Sequence, residues 1–86
     1  PITSYSDTIS FNLIEGGEIK FLLTDEHGNK VCEIKKDLNK GRVQLSLRKD
    51  VFNDLDYKTI DPLKPYILTI STGKEVLMTY IYFSRL

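Results

Sequence analysis

The sequence predicts an all-β fold, an immunoglobulin-like antiparallel β-sandwich of six or seven strands, and three observations carry that expectation. Apolar and polar residues alternate with period two along most of the chain, as strands with one buried face require. The alternating stretches are short and regularly spaced, and clusters of Gly, Asn and Asp separate them, where the chain can reverse through positive φ or Asx turns. Eighty-six residues with one cysteine leave room for a single hydrophobic core that closes without a disulfide.

In Asp7 to Ile14, Ile9, Phe11 and Leu13 alternate with Thr8, Ser10 and Asn12, which predicts a half-buried strand. Glu15-Gly16-Gly17 reads as a turn, and Ile19, Phe21 and Leu23 resume the alternation to Thr24, so these two stretches form a hairpin candidate. Asp25-Glu26-His27-Gly28-Asn29 predicts a second reversal. Lys30 to Lys36 follows as a strand whose imperfect alternation, marked by Val31 and Ile34, points to an edge or a bulge.

After Asn39-Lys40-Gly41, Val43, Leu45 and Leu47 face one side of a strand and Arg42, Gln44, Ser46 and Arg48 the other. Periodicity fails between Lys49 and Pro65. There Val51, Phe52, Leu55 and Tyr57 fit a helical turn or a loop tucked under the sheet, and Tyr57 to Ile60 is a candidate short strand. Asp61-Pro62 and Lys64-Pro65 disfavour helix before each proline. Tyr66, Leu68 and Ile70 alternate, Ser71 to Lys74 turns, and Glu75 to Phe83 forms a last strand whose two parities are both apolar, as in a strand covered on both sides.

Composition narrows the function classes. Twelve Lys plus Arg balance twelve Asp plus Glu, which disfavours a nucleic-acid partner because phosphate neutralisation needs a clustered positive excess. No apolar run reaches membrane length; the longest, at the C-terminus, is interrupted by Thr79 and ends at Ser84-Arg85. Pro1 is not a translation start, so residues 1–86 are expected to be a single module of a larger protein.

The residues that could carry chemistry do not converge. His27 is the only histidine and sits in a turn, so its expected role is a solvated turn residue rather than a ligand shared with Asp25. Cys32 lies in a strand, where a small buried thiol is the usual role and no base is obliged to activate it. Asp50, Asp54, Asp56 and Asp61 lack the glycine and closing glutamate of a calcium loop. Arg42, Arg48 and Lys49 make a basic face on the fourth strand that reads as a solvent face or a contact surface. Tyr80, Tyr82 and Phe83 either fill core or, if Tyr80 and Tyr82 are exposed, form an amphipathic patch of the kind enriched at interfaces. The chain is therefore expected to be no enzyme and to use no cofactor or metal.

Three stretches resemble a known family. Thr8-Ile9-Ser10-Phe11-Asn12-Leu13 followed by Ile19-Lys20-Phe21, then Asp25 to Gly28 with Lys30-Val31, is similar to the opening of the C-terminal sorting domains of the type IX secretion system and of the immunoglobulin-like domain of flagellar hook-capping proteins. Gly41 to Leu47 and Leu63 to Val76 resemble that family's later strands, with Gly28, Tyr66 and Gly73 as the most telling positions. The chain departs from the pattern at Lys64-Pro65, where the family has glycine before the tyrosine, and at Thr79-Tyr80, where it favours lysine.

The resemblance implies a C-terminal module of a secreted or cell-surface bacterial protein, exported through the periplasm and read by an outer-membrane secretion machinery. Recognition would use the last hairpin, with Tyr66, Gly73, Lys74, Tyr80, Tyr82 and Phe83 as candidate partner-binding residues and an edge strand open to strand addition or self-association. Two alternatives remain. Gly41-Arg42-Val43-Gln44-Leu45 followed by Asp50-Val51-Phe52 also looks like the immunoglobulin-like domains of phage baseplates, a structural assembly or adhesion role. A carbohydrate-binding sandwich would need an exposed aromatic platform, and the chain has five Tyr and no Trp.

Overall fold

In a computed structural model, which describes residues 2–5 and 7–84, the chain forms seven strands. These are β1 (Thr3–Tyr5), β2 (Thr8–Leu13), β3 (Gly17–Thr24), β4 (Lys30–Leu38), β5 (Gly41–Ser46), β6 (Tyr66–Ser71) and β7 (Val76–Ile81). They pair antiparallel in two sheets, β1-β2-β5 and β4-β3-β6-β7. Pro1, whose identity prompted the reading of a longer parent, and Arg85, at the end of the apolar C-terminal cluster, lie outside the described residues.

Each sheet contributes its alternate side chains to one core. Ile9, Phe11 and Leu13 of β2 and Val43 of β5 come from one side, and Ile19, Phe21 and Leu23 of β3 with Leu68 and Ile70 of β6 from the other. Phe11 meets Phe21 edge to face across the sheets, with ring centroids 6.2 Å apart. Burying each such side chain contributes about 1.5–3 kcal/mol, which is why a chain this short folds without a disulfide.

The β3–β4 reversal forms where expected. The Asp25 carboxylate accepts the N–H groups of His27 and Asn29 at 2.9 and 2.8 Å, and Gly28 takes φ +85° to close the turn. The imperfect alternation of β4 corresponds to a register shift opposite Leu23/Thr24 on a sheet edge.

Thr3–Tyr5, which shows no clear alternation, is a strand on the edge of the smaller sheet. Two expectations are corrected. Tyr57–Ile60 is not a strand: Asp56 accepts the Lys58 N–H at 3.1 Å and Thr59 Oγ1 donates to the Asp56 carbonyl at 2.7 Å, which winds Tyr57–Thr59 into one 3-10 turn. The stretches on either side of Glu15-Gly16 are not a hairpin, since β2 pairs with β5 and β3 with β4 and β6. Glu15-Gly16 instead carries the chain from one sheet to the other, pressed against the second such corner. A Cβ on Gly16 would lie 2.8 Å from the Leu38 carbonyl oxygen and 2.9 Å from the Lys40 nitrogen.

Beyond β5, Leu47–Val51 forms a five-residue π-helical segment. Ser46 Oγ accepts the Lys49 N–H at 3.2 Å, and the Asp50 carboxylate accepts the Ser46 N–H at 2.7 Å, a reciprocal cap that ends the strand here. The turn drives Leu47, Val51 and Phe52 into the core, as the failed periodicity after Lys49 suggested.

Candidate docking surface

From Val76 to Phe83 the chain has eight consecutive residues without a charge or a proline. Period two divides them. Ile81 and Phe83 are buried and Leu77 and Thr79 half-buried, whereas Val76, Met78, Tyr80 and Tyr82 are 63, 63, 67 and 60 % exposed. The expectation that this strand is covered on both sides is thus corrected. Its odd row closes the core, and its even row faces outward with none of the described residues over it.

Register extends the patch inward from the edge. Tyr80 lies beside Ile67 and Met78 beside Thr69 on β6, and Thr69 in turn lies beside Leu22 on β3. A shallow depression of about 130 Å³ opens among Ile67, Met78, Thr79 and Tyr80. The same face turns charged towards β4, where Lys20 lies 3.8 Å from Glu33, itself 2.7 Å from Lys30.

The backbone of β7 is open as well. The Thr72 N–H donates to the Glu75 carbonyl at 2.9 Å, closing the β6–β7 turn. Alternation from that bond directs the backbone groups of Leu77, Thr79 and Ile81 to β6 and those of Val76, Met78 and Tyr80 to the free side. The other sheet edges among the described residues carry familiar protection against strand addition. β1 has three residues, β4 displays Lys30, Glu33, Lys35, Lys36 and Asp37, and β5 displays Arg42. Only β7 is both long and uncharged.

The six candidate contact residues divide three ways. Tyr80 and Tyr82 stand on the outer face. Gly73 and Lys74 are exposed at the β6–β7 turn, where Lys74 Nζ lies 3.0 Å from Glu15 Oε2 and ties the turn to the β2–β3 corner. Tyr66 and Phe83 are corrected to core. Their rings meet edge to face at 5.8 Å, and the Tyr66 hydroxyl accepts the Asp61 N–H at 3.0 Å, so neither reaches a partner while the sandwich is folded. Val76 and Met78 belong to the surface and were not singled out in the sequence. Their even parity with Tyr80 and Tyr82 is the signal that places them there.

At the opposite end, Arg48 gathers three parts of the chain. Its Nε lies 2.7 Å from Asp7 Oδ2, its Nη2 donates to the Ser84 carbonyl, and its guanidinium covers the Tyr57 ring at 4.4 Å. Asp7 also accepts the Ser84 N–H at 3.0 Å and hydroxyl at 2.6 Å. Burial alone would raise the Asp7 carboxyl, but the bonds from Ser84 and Arg48 outweigh it and hold the pKa below the ordinary value. Tyr57 donates its hydroxyl to the Phe52 carbonyl at 2.6 Å, and burial pushes its phenol up to about 12.

The expected basic face therefore does not form. The cap at Ser46 takes Arg48 out of the strand period and turns it onto Asp7, leaving Arg42 on β5. Arg48, Tyr57, Ile60 and Phe83 floor a groove of about 520 Å³, but the guanidinium there is already engaged by Asp7 and Ser84.

The remaining chemistry-bearing residues stay apart. His27 is exposed in its turn. Cys32 is half-buried on β4, and burial raises its thiol pKa away from the reactive range. Asp50, Asp56 and Asp61 accept backbone N–H groups of their own loops. Among the described residues no group of three His, Cys, Asp or Glu could hold a metal ion, and no helix is long and apolar enough to cross a membrane. No family model, no curated protein and no solved structure matches the chain.

Proposed function

We propose that this chain is a non-catalytic sorting or anchoring module whose work is to be recognised, and that recognition takes place on β7. The observation that supports this most is the uncharged open edge of β7, with the side chains of Val76, Met78, Tyr80 and Tyr82 exposed beside it. A partner's extended segment gains main-chain hydrogen bonds along that edge and apolar contacts on the adjoining face, two terms that need no reactive group. The resemblance of the strands to type IX sorting domains makes a bacterial outer-membrane export machinery the partner, and a secreted or surface location the destination.

The test is fusion of this chain to a passenger in a bacterium with that secretion system. The passenger should reach the surface, and Tyr80→Lys should trap it in the periplasm. Retention of the unaltered fusion in the periplasm, with the domain folded, contradicts the export reading. A second reading, a structural assembly module, is favoured by the symmetry of the apolar pattern along β7, which suits pairing between like strands.

A further inference from the structure

We propose that a second copy of this chain occupies that edge, with β7 of each copy pairing antiparallel across a two-fold axis to join two four-stranded sheets into one. This rests on the reading of β7 as the docking edge and names what covers it when no other partner does.

The pattern is self-complementary. With the axis at Thr79, Met78 comes opposite the partner's Tyr80, Val76 opposite the partner's Tyr82, and Thr79 opposite the partner's Thr79. Each aromatic then meets an aliphatic or thioether side chain, and a methionine sulfur beside a ring is itself a favourable contact. The hydrogen bonds fit the same register. Val76, Met78 and Tyr80 direct their backbone groups outward, so Met78 and the partner's Tyr80 form a bonded pair and the two Thr79 residues a non-bonded pair on the axis.

Charge agrees. The flanking Lys74 and Glu75 would fall near the partner's Ser84 and Phe83, so among the described residues no like charges are forced together. A head-to-tail chain would need β4, β5 or β1 as acceptor; Lys30, Glu33, Lys35, Lys36 and Asp37 of β4 and Arg42 of β5 oppose an apolar strand, and β1 has only three residues. A closed pair is what remains. Pairing covers the edge backbone and the flanks of these side chains but not their outer face, which places the dimer at the small end of specific interfaces and makes it reversible. A dimer of that strength leaves the edge accessible to competing partners.

Sedimentation velocity over a concentration series tests the pairing. The expected mass rises from 9.9 kDa towards twice that value, and Met78→Lys raises the dissociation constant roughly tenfold or more, while Lys35→Ala on β4 leaves it unchanged. Met78 is exposed, so the variant should keep its thermal midpoint, which a parallel melt verifies. Thr79→Cys in a Cys32→Ser background should cross-link the two copies on oxidation. A mass of 9.9 kDa at every concentration overturns the proposal, as does dimerisation unaffected by Met78→Lys or a dimer that Thr79→Cys cannot cross-link. If the chain stays monomeric but Tyr80→Lys still abolishes export, the second copy is ruled out and the docking edge stands.

Discussion

Asp7 shows how one residue organises an end of the molecule. It sits at φ +68° in the β1–β2 turn, its side chain is 7 % exposed, and it receives Arg48 and Ser84, which are distant in sequence. Asp7→Asn keeps a residue that tolerates this backbone, removes the charge and replaces one of the two accepting oxygens with an NH2 donor. It should cost about 2 kcal/mol, the range for hydrogen bonds to a charged group, read as a lower urea midpoint at unchanged m-value. Because the folded pKa is depressed, the carboxylate's contribution is fully present above the unfolded value of about 4 and disappears as pH falls through the folded one. The unaltered chain should therefore lose stability on acidification through that window more steeply than Asp7→Asn; equal slopes would contradict the assignment. Tyr57→Phe, which leaves the Phe52 carbonyl without its donor, should cost about 1 kcal/mol in the same measurement. Neither role was legible in the sequence, because Arg48 continues the polar row of Arg42, Gln44 and Ser46 and only the Ser46–Asp50 cap takes it off that face.

Among the elements, what could be read depended on how local the deciding contact was. The Asp25–Asn29 reversal is settled by hydrogen bonds within five residues, and its residue types announce it. Glu15-Gly16-Gly17 carries an equally good turn signal, yet whether it closes a hairpin or crosses between sheets is decided by which strands pair, a contact far along the chain. Gly16 records the outcome. Gly16→Ala drives a methyl group into the Leu38 and Lys40 backbone and should destabilise by about 1–3 kcal/mol, the usual range for overpacking. Gly73→Ala, in open space at the β6–β7 turn, should leave the thermal midpoint nearly unchanged or raise it slightly. A neutral Gly16→Ala would mean the two corners do not press together.

Taken as a whole, the sandwich was legible and its candidate docking face only partly so. Alternation identifies which residues point inward, and the buried residues of β2, β3 and β6 follow from it, whereas Val51 and Phe52 are buried where it fails. It does not say which sheet is left uncovered, so a strand apolar on both parities looked like one packed on both sides. Tyr80 and Tyr82 were visible as an exposed pair only on the alternative reading, and Val76 and Met78 needed the sheet order that puts β7 on the edge.

That edge is open to direct measurement by amide hydrogen exchange along β7 in dilute, monomeric protein. The structure predicts alternation: Leu77, Thr79 and Ile81 slow, Val76, Met78 and Tyr80 fast. Uniform protection from Val76 to Ile81 in the monomer would mean that the edge is already covered, and the account of β7 as a docking strand would be wrong.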